Sequence, residues 1–108
     1  MQTTLNSKWS DLIKKLETRF GDGLDLQSIL FLVGIQELGM GYQKLGKNQK
    51  IDVIHIAVCA LLSQWGYYEF DFYDKHGWPH WKATENIPSL EPKQQETLIK
   101  EAIIEYFS

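Results

Sequence analysis

The chain has 108 residues, of which 44% are hydrophobic and 23% are charged, and its formal net charge is −3. A chain of this length and composition is expected to fold as one globular domain, and the composition excludes a disordered polypeptide. The net negative charge argues against a general nucleic-acid-binding protein, because such proteins carry a dominant positive field.

The first predicted helix spans about residues 7–20, with Asn6 or Ser7 as its cap and Gly21 after its end. Its apolar residues form one stripe, as in an amphipathic helix: Trp9, Leu12, Ile13, Leu16 and Phe20. We therefore expect this helix to cover a core rather than to lie inside it.

The second and third helices are predicted at about residues 25–38 and 51–65. Asp25 or Ser28 is expected to start the second helix, and Asp52 to cap the third. Both helices are apolar on every side, which indicates that they pack on each other as the core. The same pattern leaves open that a second subunit buries one of their faces.

Residues 67–83 (YYEFDFYDKHGWPHWKA) are predicted to form a β-hairpin. The sequence DKHG at 74–77 has the aspartate and the glycine of a type I turn, with the glycine in the left-handed region before a bulge. Alternation along the first strand predicts that Tyr68, Phe70 and Phe72 face the helices.

The last helix is predicted at about residues 91–107, with Pro92 in its first turn. The expected fold is therefore mainly α: a single domain, residues 1–108, of four helices with the hairpin between helices 3 and 4.

The hairpin is the main candidate for a binding surface, because aromatic residues beside charged ones suit the centre of a protein interface. The expected anchors for the partner are Tyr73, Trp78, His80 and Trp81. We therefore predict a non-enzymatic protein-interaction module without a cofactor. Its partner is an unknown protein or a second copy, which would make a homodimer.

A metal site is a weaker alternative on the same hairpin. Asp74, His76 and His80 carry oxygen and nitrogen ligands within a short stretch of chain. However, their spacing matches no metal-binding motif, Asp74 is already explained by the turn, and Asp71 is expected to point away from His80.

The Gly- and Lys-rich loop at residues 39–50 is the second alternative, as a site for a small ligand or an anion. Glu37 lies near a helix C-terminus, where its negative charge interacts unfavourably with the helix dipole. We therefore expect a neighbouring group to offset this interaction. Lys44 or Lys47 could pair with Glu37, or Glu37 could be the acid of a pocket.

Asp52, His55 and Cys59 share one face of the third helix. A carboxylate that orients a histidine beside a thiol is the arrangement that activates a nucleophilic cysteine. Rigid helical spacing rarely points an imidazole and a sulfur at one outside atom, so we interpret Cys59 as a small core residue and His55 as its hydrogen-bonded neighbour. No catalytic pair is convincingly arranged, and we expect no enzymatic activity.

Two stretches, SILFLVGIQELG at 28–39 and DKHGWPHW at 74–81, resemble segments of small uncharacterised bacterial proteins. This resemblance, which extends from about Leu24 to the end of the chain, implies a bacterial origin but no activity, cofactor or catalytic residue. Cys59 is the only cysteine, the first ten residues do not resemble a secretory signal, and the apolar run at 29–35 is too short to span a membrane. We therefore expect a cytoplasmic protein without a membrane partner.

Overall fold

The computed structural model describes residues 4–39 and 45–108. These residues form four α-helices and a two-stranded antiparallel sheet, which lies between the third and fourth helices and confirms the predicted fold class. The elements, in chain order, are α1 (Leu5–Phe20), α2 (Leu26–Leu38), α3 (Lys47–Ser63), β1 (Tyr68–Tyr73), β2 (Pro79–Ala83) and α4 (Pro92–Tyr106).

Local hydrogen bonds fix the ends of α2 at the residues expected from the sequence. The Asp25 carboxylate accepts the backbone N–H of Ser28 at 2.8 Å, which satisfies a donor that the first helical turn leaves free. At the other end Gly39 has a φ of +69°, in the left-handed region, and its N–H donates to the carbonyl of Ile35.

The starts of α1 and α3 differ from the predictions. The side chain of Thr4, rather than Asn6 or Ser7, caps α1 and accepts the Ser7 N–H at 3.1 Å. Helix α3 begins at Lys47, so Asp52 lies within the helix and does not cap it. Instead, the Gln49 side chain accepts the N–H of Gly46, the residue that precedes α3, at 3.0 Å.

The core forms where α2 and α3 pack antiparallel to each other. The N-terminal half of α2 joins the C-terminal half of α3, where Ile29 and Leu61 are both completely buried. The C-terminal part of α2 joins the start of α3, where Leu38 and Val53 belong to a smaller cluster. Helices α1 and α4 cover the larger cluster with these buried residues: Trp9, Leu12, Leu16, Ala102 and Ile103.

The hairpin turn has the predicted geometry. Gly77 has a φ of +81°, its N–H donates to the Asp74 carbonyl, and the Asp74 N–H donates to the Trp78 carbonyl, with both distances at 2.9 Å. A β-bulge within β1 was not predicted. Phe70 pairs with Trp81 and Phe72 pairs with His80, so Asp71 is an extra residue in β1. This bulge changes how the aromatic side chains are distributed along the strand.

Candidate interaction surface on the hairpin

The hairpin is held on the helical core by one side chain from its beginning and one from its turn. Tyr68 is half-buried and packs against the larger core cluster, and burial raises the pKa of its hydroxyl. Trp78 is half-buried against the smaller cluster that contains Leu38 and Val53. Because these two contacts lie at opposite ends of the hairpin, it has a defined position on the helices.

Trp81 is another half-buried aromatic residue of the hairpin. Its ring lies edge-on to the Phe70 ring, with 5.9 Å between centroids. The Trp81 Nε1 is buried and has no hydrogen-bond partner among the described residues. An indole N–H normally has an acceptor when it is buried, so this donor is an exception within the fold.

Three aromatic side chains of β1 are exposed to solvent. Phe70 is 44%, Phe72 is 48% and Tyr73 is 66% accessible, so the expectation that Phe70 and Phe72 face the helices is wrong. The bulge at Asp71 interrupts the alternation on which that expectation rested. Phe70 and Tyr73 lie on opposite sides of the bulge, yet their ring centroids are only 4.8 Å apart.

His80 completes this group from the neighbouring strand. Its imidazole stacks on the Phe72 ring at 4.5 Å between centroids, with an angle of 3° between the planes. We call the exposed rings of Phe70, Phe72 and Tyr73, together with the imidazole of His80, the hairpin aromatic surface. Each of its members contacts another ring, so their orientations are fixed before any partner arrives.

Asp74 organises the turn beside this surface. Its Oδ1 accepts the backbone N–H groups of His76 at 2.9 Å and Trp78 at 3.0 Å, and its Oδ2 accepts the Nε2–H of His80 at 2.9 Å. The hydrogen bond from His80, with those from the two backbone groups, lowers the pKa of Asp74 to about 2. A carboxylate held by three donors is a structural element of the turn, as the sequence indicated.

Replacing Asp74 with Asn should lower the stability of the protein in a way that depends on pH. The folded-state pKa of Asp74 is depressed from its ordinary value of 3.8 to about 2. The stabilisation by the ionised carboxylate is therefore fully present above about pH 4 and is lost as the pH falls towards about 2. Urea unfolding should thus show a clear difference between wild type and Asp74→Asn near neutral pH, and a smaller difference at about pH 2.

Asp71→Asn is the matched control for this measurement. It removes the same charge from the same hairpin but touches none of the hydrogen bonds of the turn. If Asp74→Asn and Asp71→Asn changed stability equally at neutral pH, Asp74 would not organise the turn.

The candidate metal ligands do not converge in the structure. Asp74 and His80 bind each other, whereas His76 contributes only its backbone N–H to the Asp74 carboxylate. Across residues 4–39 and 45–108, no group of three or more Asp, Glu, His or Cys side chains is arranged to hold a metal ion. No observation here therefore favours metal over partner binding at the hairpin.

Cys59 and His55 are neighbours, with 3.5 Å between Sγ and Nε2. Cys59 is completely buried, and this burial raises the pKa of its thiol to about 11. His55 is exposed rather than part of the core. A thiol that stays protonated and inaccessible near neutral pH is a poor nucleophile, so this pair does not suit catalysis.

Glu37 has a partner that the sequence did not reveal. The hydroxyl of Tyr106, on α4, donates to its Oε2 at 2.8 Å, across 69 residues of chain. Burial and the neighbouring carboxylate raise the pKa of Tyr106, so its hydroxyl stays protonated and remains a donor. Lys47 is exposed at the start of α3, and Lys44 lies outside the described residues, so the loop at 39–50 stays a prediction as an anion site.

The structure brings together only part of the predicted anchor set. Tyr73 and His80 belong to the hairpin aromatic surface, whereas Trp78 and Trp81 are half-buried in contacts within the fold. Phe70 and Phe72 were missed as surface residues because strict alternation assigned them to the buried face.

Comparison with protein-family models, with curated proteins and with solved structures finds no match to this chain. The resemblance to small bacterial proteins therefore stays an expectation. In the part of the chain that the structure describes, no helix has both the length and the apolar character that crossing a membrane requires.

Proposed function

We propose that this chain is a non-enzymatic protein-interaction module that binds its partner through the hairpin aromatic surface. The observation that supports this function is the exposure of three large rings, those of Phe70, Phe72 and Tyr73, on one strand. Scattered single apolar residues are normal on protein surfaces, but exposed rings that contact one another in pairs, here Phe70 with Tyr73 and Phe72 with His80, are typical of an interaction site.

The physical chemistry of the surface suits protein binding. Aromatic side chains are enriched at interfaces because they remove a large area from water and lose little conformational freedom. Here the stacking of Phe72 on His80 and the contact of Phe70 with Tyr73 restrict the rings before binding, which lowers the entropic cost of association.

Two polar side-chain pairs border these rings. The Lys82 ammonium lies 3.4 Å from the Glu69 carboxylate, and Asp74 binds His80. Such exposed pairs contribute little to stability, but they orient a partner and disfavour wrong ones. In this proposal Tyr73, His80, Phe70 and Phe72 contact the partner.

Trp78 and Trp81 have a supporting role in the same proposal. Trp78 holds the hairpin on the smaller core cluster, and the Trp81 ring supports Phe70 from the neighbouring strand. The partner that we propose to test first is a second copy of this chain. We also propose that the protein acts in the cytoplasm.

The double substitution Phe72→Ala with Tyr73→Ala should weaken association at least about thirtyfold, because even one aromatic residue at the centre of an interface contributes about 2 kcal/mol or more. Light scattering over about a hundredfold range of concentration measures association with a second copy. Affinity capture with the same variants as bait measures association with another protein.

Ile87→Ala is the matched control, because Ile87 is also exposed but lies outside both strands. Wild type and Ile87→Ala should associate equally, and the double variant should associate at least about thirtyfold more weakly. The proposal is wrong if all three proteins behave alike, or if neither measurement detects a partner.

A further inference from the structure

A second surface, separate from the hairpin, has the features of a small-ligand site. It is a groove of about 440 Å³ between the end of α1, the outer face of α2 and the start of α3. This volume lies within the range of about 300–1,000 Å³ that is usual for sites of small organic ligands. The apolar residues that line it are Phe20, Leu24, Phe31, Leu32 and Ile54.

The fold leaves the apolar lining of the groove partly exposed to solvent. Phe20 is 48% exposed, and Leu32 and Ile54 are only half-buried. This face of α2 explains why the helix is apolar on every side: the opposite face packs on α3, and Leu32 points into the groove. An occupant with an apolar body would remove these side chains from water.

Among residues 4–39 and 45–108, Lys50 is the only charged residue that lines the groove. Its ammonium forms none of the ion pairs within residues 4–39 and 45–108. Lys47, one turn earlier on α3, adds a second positive charge close to the same end, and the N-terminus of a helix also favours an anion. An occupant should therefore carry a negative charge next to Lys50.

A negatively charged residue, Asp25, follows Leu24 at the opposite end of the groove, although it does not line the groove. Since α2 and α3 are antiparallel, Lys50 lies towards the C-terminal half of α2, whereas Leu24 and Phe20 lie near its start. The start of α2 is capped by Asp25, and hydrogen bonds with Ser28 lower the pKa of its carboxyl. An ionised Asp25 repels an anionic group, so the charged end of an occupant belongs at Lys50 and its apolar end at Phe20.

From this arrangement we infer that the groove binds a long-chain carboxylate, that is, a fatty acid. The carboxylate accepts a charge-assisted hydrogen bond from the Lys50 ammonium, and the alkyl chain lies along Leu32, Leu24 and Phe20. This ligand matches both the apolar lining and the single positive charge at one end. The inference is independent of the function that we propose for the hairpin.

The test uses dodecanoate below its micellar concentration, with titration calorimetry on the full chain. Dodecanoate should bind, and it should raise the melting temperature because it binds only the native state. Octanoate should bind more weakly, since each methylene that the groove covers tightens binding by up to about fourfold. Dodecanol, which has the same chain without the charge, should bind at least about tenfold more weakly than dodecanoate.

Two substitutions of the exposed Lys50 separate the charge from the fold. Lys50→Gln should weaken dodecanoate binding about tenfold, and Lys50→Glu should abolish it. Lys93→Gln is the matched control, because Lys93 is an exposed lysine of α4 and does not line the groove.

The inference is overturned if dodecanoate does not bind, if dodecanol binds equally well, or if Lys50→Glu binds dodecanoate like wild type. It is also overturned if the groove is covered by a second copy. In that case Lys50→Glu would change the solution mass while dodecanoate had no effect.

Discussion

Replacing Gly34 with alanine should destabilise the protein by about 2 kcal/mol. Gly34 lies in the middle of α2, where this helix crosses α3 at its closest point. An added Cβ would overlap the backbone carbonyl of Val53 and lie 2.6 Å from the Cγ1 of its side chain. Because a carbonyl within a helix cannot rotate away, the two helices would have to separate.

The two effects of this substitution on stability oppose each other. Alanine favours a helix over glycine by about 1 kcal/mol, which would stabilise α2. Overpacking of a well-packed core costs about 1–3 kcal/mol, and more where backbone must move. Val53 is completely buried in the smaller cluster, so the clash should outweigh the gain in helix propensity.

Gly46→Ala is the control for the Gly34 measurement. At Gly46 an added Cβ would meet only the Gln49 side chain, at 3.7 Å, and the φ of −74° is one that alanine readily adopts. We expect a change of less than about 1 kcal/mol in the free energy of unfolding, measured by urea denaturation. If Gly34→Ala were as stable as Gly46→Ala, the close approach of α2 and α3 would be wrong.

The sequence predicted the elements whose ends carry local chemical signals. Asp25 and Gly39 bound α2 as expected, because a capping carboxylate and a left-handed glycine act on their own neighbours. The start of α3 was placed four residues too late for the converse reason. Residues 47–50 are all polar, so they add nothing to an apolar pattern, and the donor at Gly46 is satisfied by Gln49.

The candidate sites were harder to predict, because they depend on contacts between distant residues. A bulge at Asp71 places Phe72 opposite His80, and the alternating pattern of β1 does not predict this bulge. The bond from Tyr106 to Glu37 joins two helix ends that are far apart in sequence. The groove likewise forms only where three helices meet. The apolar character of Leu32 and its neighbours did indicate that α2 has an apolar face beyond the one that packs on α3.

The second large effect should come from Ile103→Ala, which tests how α4 is held. Ile103 is completely buried in the larger cluster, where α4 meets residues of α1, α2 and α3. Truncation removes three carbon atoms from a site that is enclosed on every side. Changes of this type cost about 2–5 kcal/mol, and we expect about 3 kcal/mol in urea unfolding.

Ile51→Ala makes the same chemical change at an exposed site. Ile51 is 58% accessible on α3, so its truncation leaves no cavity and should change the free energy of unfolding by less than about 0.5 kcal/mol. The difference between the two variants therefore measures burial alone. If Ile103→Ala were as mild as Ile51→Ala, α4 would not be packed on the core. The bond between Tyr106 and Glu37 would then lack the fixed helix that it requires, since Tyr106 lies only three residues beyond Ile103 on α4.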